Sequence, residues 1–145
     1  MIDEEIWILE AIHELKIPLE EFQKCSPQES DEIFRNIKAQ YVSVSRSHWW
    51  FSLKNVVVGR HFADGGFRHI LEYVPSGNPH VWFVPDIGER YNLAYQALLT
   101  HTIDVIGNCN GFPYYISSLD YSWLLAESDD DYLYYCKSPV TFDSK

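Results

Sequence analysis

The last third of this chain constrains its fold most. Three short runs rich in aromatic and aliphatic residues follow one another there. They are Gly111-Phe112-Pro113-Tyr114-Tyr115-Ile116-Ser117, Ser122-Trp123-Leu124-Leu125-Ala126-Glu127 and Tyr132-Leu133-Tyr134-Tyr135-Cys136. Two polar stretches separate them, Ser118-Leu119-Asp120-Tyr121 and Ser128-Asp129-Asp130-Asp131. Connections this short leave no room for a crossover helix, so neighbouring runs are expected to pair antiparallel, as a meander. The alternation in Tyr132–Cys136 is imperfect, which implies that both faces of this strand meet partly apolar surroundings.

Upstream, the pattern changes to helical periodicity. Ile2, Ile6, Leu9 and His13 fall on one stripe, with Ile8, Ile12 and Leu15 beside it, wide enough together to face a core. Pro18 ends this helix or opens a second one over Leu19–Cys25, with Leu19 and Phe22 on one side. Ser26-Pro27-Gln28-Glu29 is a start signal: a capping serine, a proline suited to the first helical position and a glutamate that completes a capping box. The spacing of Ile33, Phe34, Ile37 and Tyr41 then predicts a helix over about residues 27–42.

The middle of the chain is mixed. Trp49-Trp50-Phe51 and Val56-Val57-Val58 read as strand material, broken near Lys54-Asn55. Ala63-Asp64-Gly65-Gly66 reads as a turn. Phe67, Ile70, Leu71 and Val74 predict a short amphipathic helix, stopped by Pro75-Ser76-Gly77-Asn78-Pro79. His80–Val84 is a strand closed by Pro85-Asp86, and Tyr91–Tyr95 is a second short one. Leu98, Leu99, Thr102, Ile103 and Ile106 form a helix stripe that ends at Gly107 or Gly111. No repeat or linker interrupts the chain. The expectation is one domain over residues 1–145, with a helical N-terminal unit (1–42) and an α+β core (48–136). Its class is α+β: an antiparallel sheet, the C-terminal meander within it, and helices packed on one face.

Composition narrows the functional classes. No apolar run is long enough to span a bilayer, and the N-terminus is acidic where a signal peptide would be basic. A cytoplasmic protein with no membrane partner is expected. Three cysteines without C-x-x-C spacing argue against a disulfide framework and a cysteine zinc site. The net charge is −10, with the acids concentrated in residues 1–40 and 91–145. Such a chain repels phosphate backbones, so no nucleic-acid partner is expected. The same field favours a basic protein partner.

Glu127, Asp129, Asp130 and Asp131 form the densest charge cluster. Acids on a tight loop suit three roles: ligating Ca²⁺ or Mg²⁺, meeting Lys or Arg of a partner, or forming a solvated turn that guards the strands. The EF-hand spacing is absent. No two of the six histidines stand at H-x-x-x-H or H-E-x-x-H spacing; His61 and His69 lie eight residues apart across a turn. Nucleophile-elbow, P-loop and Rossmann fingerprints are also missing. No catalytic residue, metal site or cofactor is therefore expected. Trp49-Trp50 stands beside Arg46, His48 and Lys54, an aromatic and basic combination. Neighbouring tryptophans on a strand face opposite ways, so at most one need be core, and the other, Trp50, is expected to anchor an interface.

Trp82-Phe83-Val84-Pro85-Asp86, Phe112-Pro113-Tyr114-Tyr115-Ile116-Ser117-Ser118 and Trp123-Leu124-Leu125-Ala126-Glu127 carry a resemblance. Over residues 48–136 the chain resembles a family of small uncharacterised bacterial proteins, a domain of unknown function. Members of that family end in a Trp-Leu-Leu-Cys-Glu-Asn-His-His-Asp pattern. Here Ser128-Asp129-Asp130-Asp131 replaces the histidine pair, Ala126 replaces the cysteine, and Pro113 replaces a glutamate. A histidine-based metal or acid–base site is lost from these positions, whereas a binding role tolerates such turnover. Some small bacterial proteins of this general kind are toxin-immunity proteins. The expected function is an acidic protein-binding module, an immunity- or antitoxin-type inhibitor of a basic toxin. Its partner-binding residues would be Glu127, Asp129, Asp130, Asp131, Tyr134 and Trp50. The alternative is a small enzyme or ligand-binding domain whose aromatic pocket is lined by Tyr114, Trp123 and Tyr134.

Overall fold

A computed structural model describes residues 2–43, 48–74, 77–88, 91–109 and 111–138. Arg46, named above beside the tryptophans, and the Pro75-Ser76 stop signal lie outside the described residues.

Asp3–Glu14 form α1. Three acids, Asp3, Glu4 and Glu5, fill its first turn, where the helix dipole favours negative charge. Ile8, Ala11 and Ile12 are buried, whereas Ile6, Leu9 and Leu15 are exposed. The Ile8–Ile12 half of the wide apolar stripe faces the core, with Ile2 packed partly against it. The helix expected over Leu19–Cys25 is instead a single 3-10 turn, Leu19–Glu21, followed by strand β1, Phe22–Lys24. A segment this short gains little from its own helical bonds. Seating the Phe22 ring between Phe83 and Tyr95 gains more. Pro27–Tyr41 form α2 with its capping box complete. Ser26 Oγ accepts from the Glu29 N–H, and the Glu29 carboxylate accepts from the Ser26 N–H.

The remaining elements are β2 (Val56–His61), β3 (His80–Pro85), β4 (Tyr95–Leu98), α3 (Leu99–Asn108), β5 (Tyr114–Ser118), β6 (Trp123–Glu127) and β7 (Tyr132–Lys137). The described strands make one antiparallel sheet in the order β1-β4-β3-β5-β6-β7-β2. The α+β class and the β5-β6-β7 meander stand as expected. The second strand expected at Tyr91–Tyr95 is displaced to β4. The Tyr91 hydroxyl instead bonds the Glu5 carboxylate, which also pairs with Lys24 at 2.8 Å.

The helices do not share one face. On one side of the sheet, α1 and α3 pack with Ile70 over Val81, Phe83, Tyr114, Ile116, Trp123, Leu125, Leu133 and Tyr135. On the other, α2 packs with Trp49 over Val84, Tyr115, Leu124, Ala126 and Cys136. A strand buried on both faces loses the polar half of its alternation. All five residues of β6 are buried accordingly.

Two further segments depart from expectation. Trp49–Ser52 is a 3-10 turn, not a strand. Its Trp49 ring is buried edge-on against Phe34 at 5.1 Å and beside Tyr115 at 4.6 Å. Gly66–Glu72, expected as an amphipathic helix, is also 3-10. Ile70 reaches the core there and Leu71 points out.

Candidate functional site

The β6–β7 turn places most of the acids singled out in the sequence. Ser128 N–H donates to the Tyr132 carbonyl at 2.9 Å, and Ser128 Oγ bonds the Asp130 carboxylate. Asp131 closes the turn in the left-handed region, φ +67°, a conformation that aspartate tolerates better than most residues. Asp129, Asp130 and Asp131 are all exposed. The turn lies against the end of β2, where Phe62 N–H donates to the Asp131 carbonyl at 3.0 Å.

Glu127 is not part of this exposed cluster. It is 7% exposed. Its Oε2 accepts from the Gly66 N–H at 2.7 Å and its Oε1 from the Tyr114 hydroxyl at 2.6 Å. Burial raises its pKa above the ordinary carboxylate value, against the lowering effect of those bonds. The reason is strand period. Glu127 follows Trp123 and Leu125 at two-residue spacing, so it points into the α1/α3 side. It pins the Gly66–Glu72 segment to the sheet. At Gly66 an added Cβ would lie 3.0 Å from the Glu127 carboxyl carbon and 3.1 Å from Leu133 Cβ, so only glycine lets the backbone come this close.

Tyr134 lies on the α2 side, half-buried, with its ring over Gly59 and stacked on Tyr132 at 6.0 Å. Burial, and secondarily the negative charge of Asp130, raises its pKa. The structure thus gathers Asp129, Asp130, Asp131, Tyr132 and Tyr134 at one corner. Trp50 is two strands away. It is half-buried, stacks on the His48 ring at 4.4 Å and lies 6.5 Å from the Tyr115 ring.

Sequence reasoning missed a polar cluster beside Trp50. The Asp86 carboxylate, 5% exposed, accepts from the Tyr115 hydroxyl at 3.0 Å and from the Gly88 N–H at 3.0 Å, and contacts His48 Nδ1 at 3.1 Å. Tyr115 in turn accepts from the Trp49 N–H at 2.9 Å. Burial, then the neighbouring Asp86 charge, raises the Tyr115 pKa. The cluster fixes the Trp49–Ser52 turn against the sheet end. No residue spacing announces it, because its members are separated by tens of positions.

The pocket expected from Tyr114, Trp123 and Tyr134 does not form as such. Tyr114 and Trp123 face the α1/α3 side and Tyr134 faces the other. A cleft of about 430 Å³ does open near Tyr114, walled by Phe67, Ile106 and Phe112, with Glu127 inside and Asp129 and Asp131 at its rim. Among the described residues, no three His, Cys, Asp or Glu side chains group as metal ligands. His61 sits edge-on to Tyr132, whereas His69 lies between Asp64 and Glu72. Those two carboxylates, Glu72 foremost, raise the His69 pKa. Cys25 and Cys136 are buried and Cys109 half-buried, and burial pushes their thiols up to about 11, 12 and 11 respectively. All three are poor nucleophiles. No helix among the described residues is long and apolar enough to cross a membrane.

Comparison with protein-family models, with curated proteins and with solved structures gives no match.

Proposed function

We propose that this chain is an acidic protein-binding module, an inhibitor of the immunity or antitoxin type that covers the cationic surface of a basic protein in the cytoplasm. One observation carries the reading. Asp129, Asp130 and Asp131 project together from a turn held by Ser128, next to the paired rings of Tyr132 and Tyr134. Fixed charges steer a basic partner, and rigid aromatics contribute contact area at low entropic cost. The net charge of −10 extends the same field over the molecule. Glu127 is removed from the contact set, because both its oxygens are engaged inside. Trp50, stacked on His48 near Tyr115, lies away from this corner.

The test is capture of a basic protein from the native host, using wild-type protein and the triple variant Asp129→Asn, Asp130→Asn, Asp131→Asn. The reading expects one basic protein retained by wild type at low salt and depleted with the triple variant. Equal retention by both would remove the turn from the interface.

A second reading, a ligand-binding domain, is favoured by the cleft beside Glu127 and Tyr114. Its aromatic walls and acidic rim suit a small organic cation. Titration with simple primary and quaternary amines, followed by tryptophan and tyrosine fluorescence, separates the two readings.

A further inference from the structure

The two edges of the sheet differ. At one end β1 offers three residues, too few to template another strand. At the other, β2 offers six, of which five are exposed; Val57 is 60% exposed and Val56 is 44%. Among the described residues nothing pairs with the outer side of β2. The register shows which backbone groups face that side. Phe62 N–H bonds the Asp131 carbonyl, and Arg60 and Val58 pair across from Leu133 and Tyr135. Antiparallel alternation then turns the N–H and C=O of Gly59 and His61 outward.

Charge along this edge is polar in the literal sense. Lys54 and Lys137, both exposed, stand at the Val56 end, where Lys137 N–H donates to the Asn55 carbonyl. Asp64 and Asp131, both exposed, stand at the His61 end, where Asp64 also pairs with His69 at 3.0 Å and the exposed Arg60 lies one residue inside. With Lys54 at one end and Asp64 at the other, the edge brings opposite charges together when inverted.

From this geometry we infer that β2 pairs antiparallel with β2 of a second copy of this chain, across a two-fold axis at Gly59. Gly59 of each copy lies against its counterpart, with the Tyr134 ring of its own copy covering it on the α2 side. Val57 faces His61, Val58 faces Arg60, and Lys54 of each copy reaches the end where Asp64 of the other stands. Like charges meet nowhere in this register. One residue over, an axis at Arg60 would set two guanidinium groups directly opposite each other, which disfavours that slip. The interface is isologous and closed, so it stops at two copies and spends the longer open edge of the sheet. The bulge between Val56 and Val58 puts Val57, the residue facing His61, at the limit of regular pairing. The inference stands independently of the basic-partner reading, since a dimer forms without any partner.

The test is sedimentation equilibrium of the full chain over a wide concentration range, alongside three variants. Wild type is expected at twice the monomer mass. His61→Pro removes an outward N–H without touching a bond to β7, and is expected to give monomer with an unchanged circular dichroism spectrum. Lys54→Glu and Asp64→Lys should each weaken the dimer by about tenfold or more, and the double variant should recover it, because the reversed pair attracts again. A wild type that stays monomeric at every concentration overturns the inference, and so does one that dimerises only when residues 139–145 are deleted. A dimer indifferent to His61→Pro, or a double charge reversal that fails to rescue, overturns it too. Capture of a basic protein is a separate readout, so failure of one proposal does not imply failure of the other.

Discussion

At the scale of single residues, Glu127 shows how position on a strand overrides position in a cluster. It stands two residues before three aspartates in sequence, yet it is enclosed while they are solvated. Glu127→Ala leaves the Gly66 N–H and the Tyr114 hydroxyl without their acceptor in a buried place. The expected loss is about 1–3 kcal/mol in chemical denaturation. Glu127→Gln keeps an acceptor for Gly66 and removes the titration. Because the folded-state pKa of Glu127 is raised above the ordinary 4.5, the folded state holds that proton more tightly than the unfolded chain. Its contribution is therefore fully present below about 4.5 and is lost as pH rises through the raised value. The stability difference, wild type minus Glu127→Gln, is expected to fall between pH 4 and neutrality; a flat difference would contradict the raised pKa. The acid was legible to a strict period-two reading from Trp123 through Leu125. Grouping acids by sequence proximity hid it.

At the scale of elements, the capping box makes a quantitative prediction. Ser26→Ala removes one of the two reciprocal bonds at the α2 terminus and is expected to cost about 1 kcal/mol. An unchanged denaturation midpoint would show that the cap contributes nothing. This start signal was readable because all its parts are local. The meander was readable for a different reason, since its turns are too short for any other connection. The failures are as informative. Trp49-Trp50-Phe51 has strand composition, but Trp49 finds its place under Phe34 and beside Tyr115 only if the backbone coils. Phe22 has helical spacing, but β4 offers it a strand partner. In both cases a distant partner outweighs local preference, and a distant partner is not visible in a sequence window. The helices were expected on one face, yet the imperfect alternation of Tyr132–Cys136 already required apolar neighbours on both. That clue was in the sequence, and α2 supplies the second layer.

At the scale of the molecule, fold and interface place opposite demands on the same charges. A net charge of −10 repels itself in the compact state and attracts a basic surface at a distance. The aspartates sit on a turn tip, where their mutual repulsion costs little. The triple variant Asp129→Asn, Asp130→Asn, Asp131→Asn is accordingly expected to unfold within about 0.5 kcal/mol of wild type. Tyr134 plays a different part. Its ring is held between Tyr132 and Gly59, and Tyr134→Ala is expected to raise the dissociation rate of the complex more than it slows association. The corner proposed for partner contact was only half legible: the sequence grouped the turn acids with Tyr134, whereas their place beside an open sheet edge required the strand order.

The most direct test of the binding account is the association rate constant of the isolated basic partner with wild type and with the triple Asn variant, measured as ionic strength is raised. Steering acts over a distance that shrinks to about 10 Å at 0.1 M salt. The wild-type rate should therefore fall steeply with salt, the variant should start slower and fall less, and the two should converge at high salt. Identical rates for the two proteins at low salt would contradict the account and leave the aspartate turn a solvated loop.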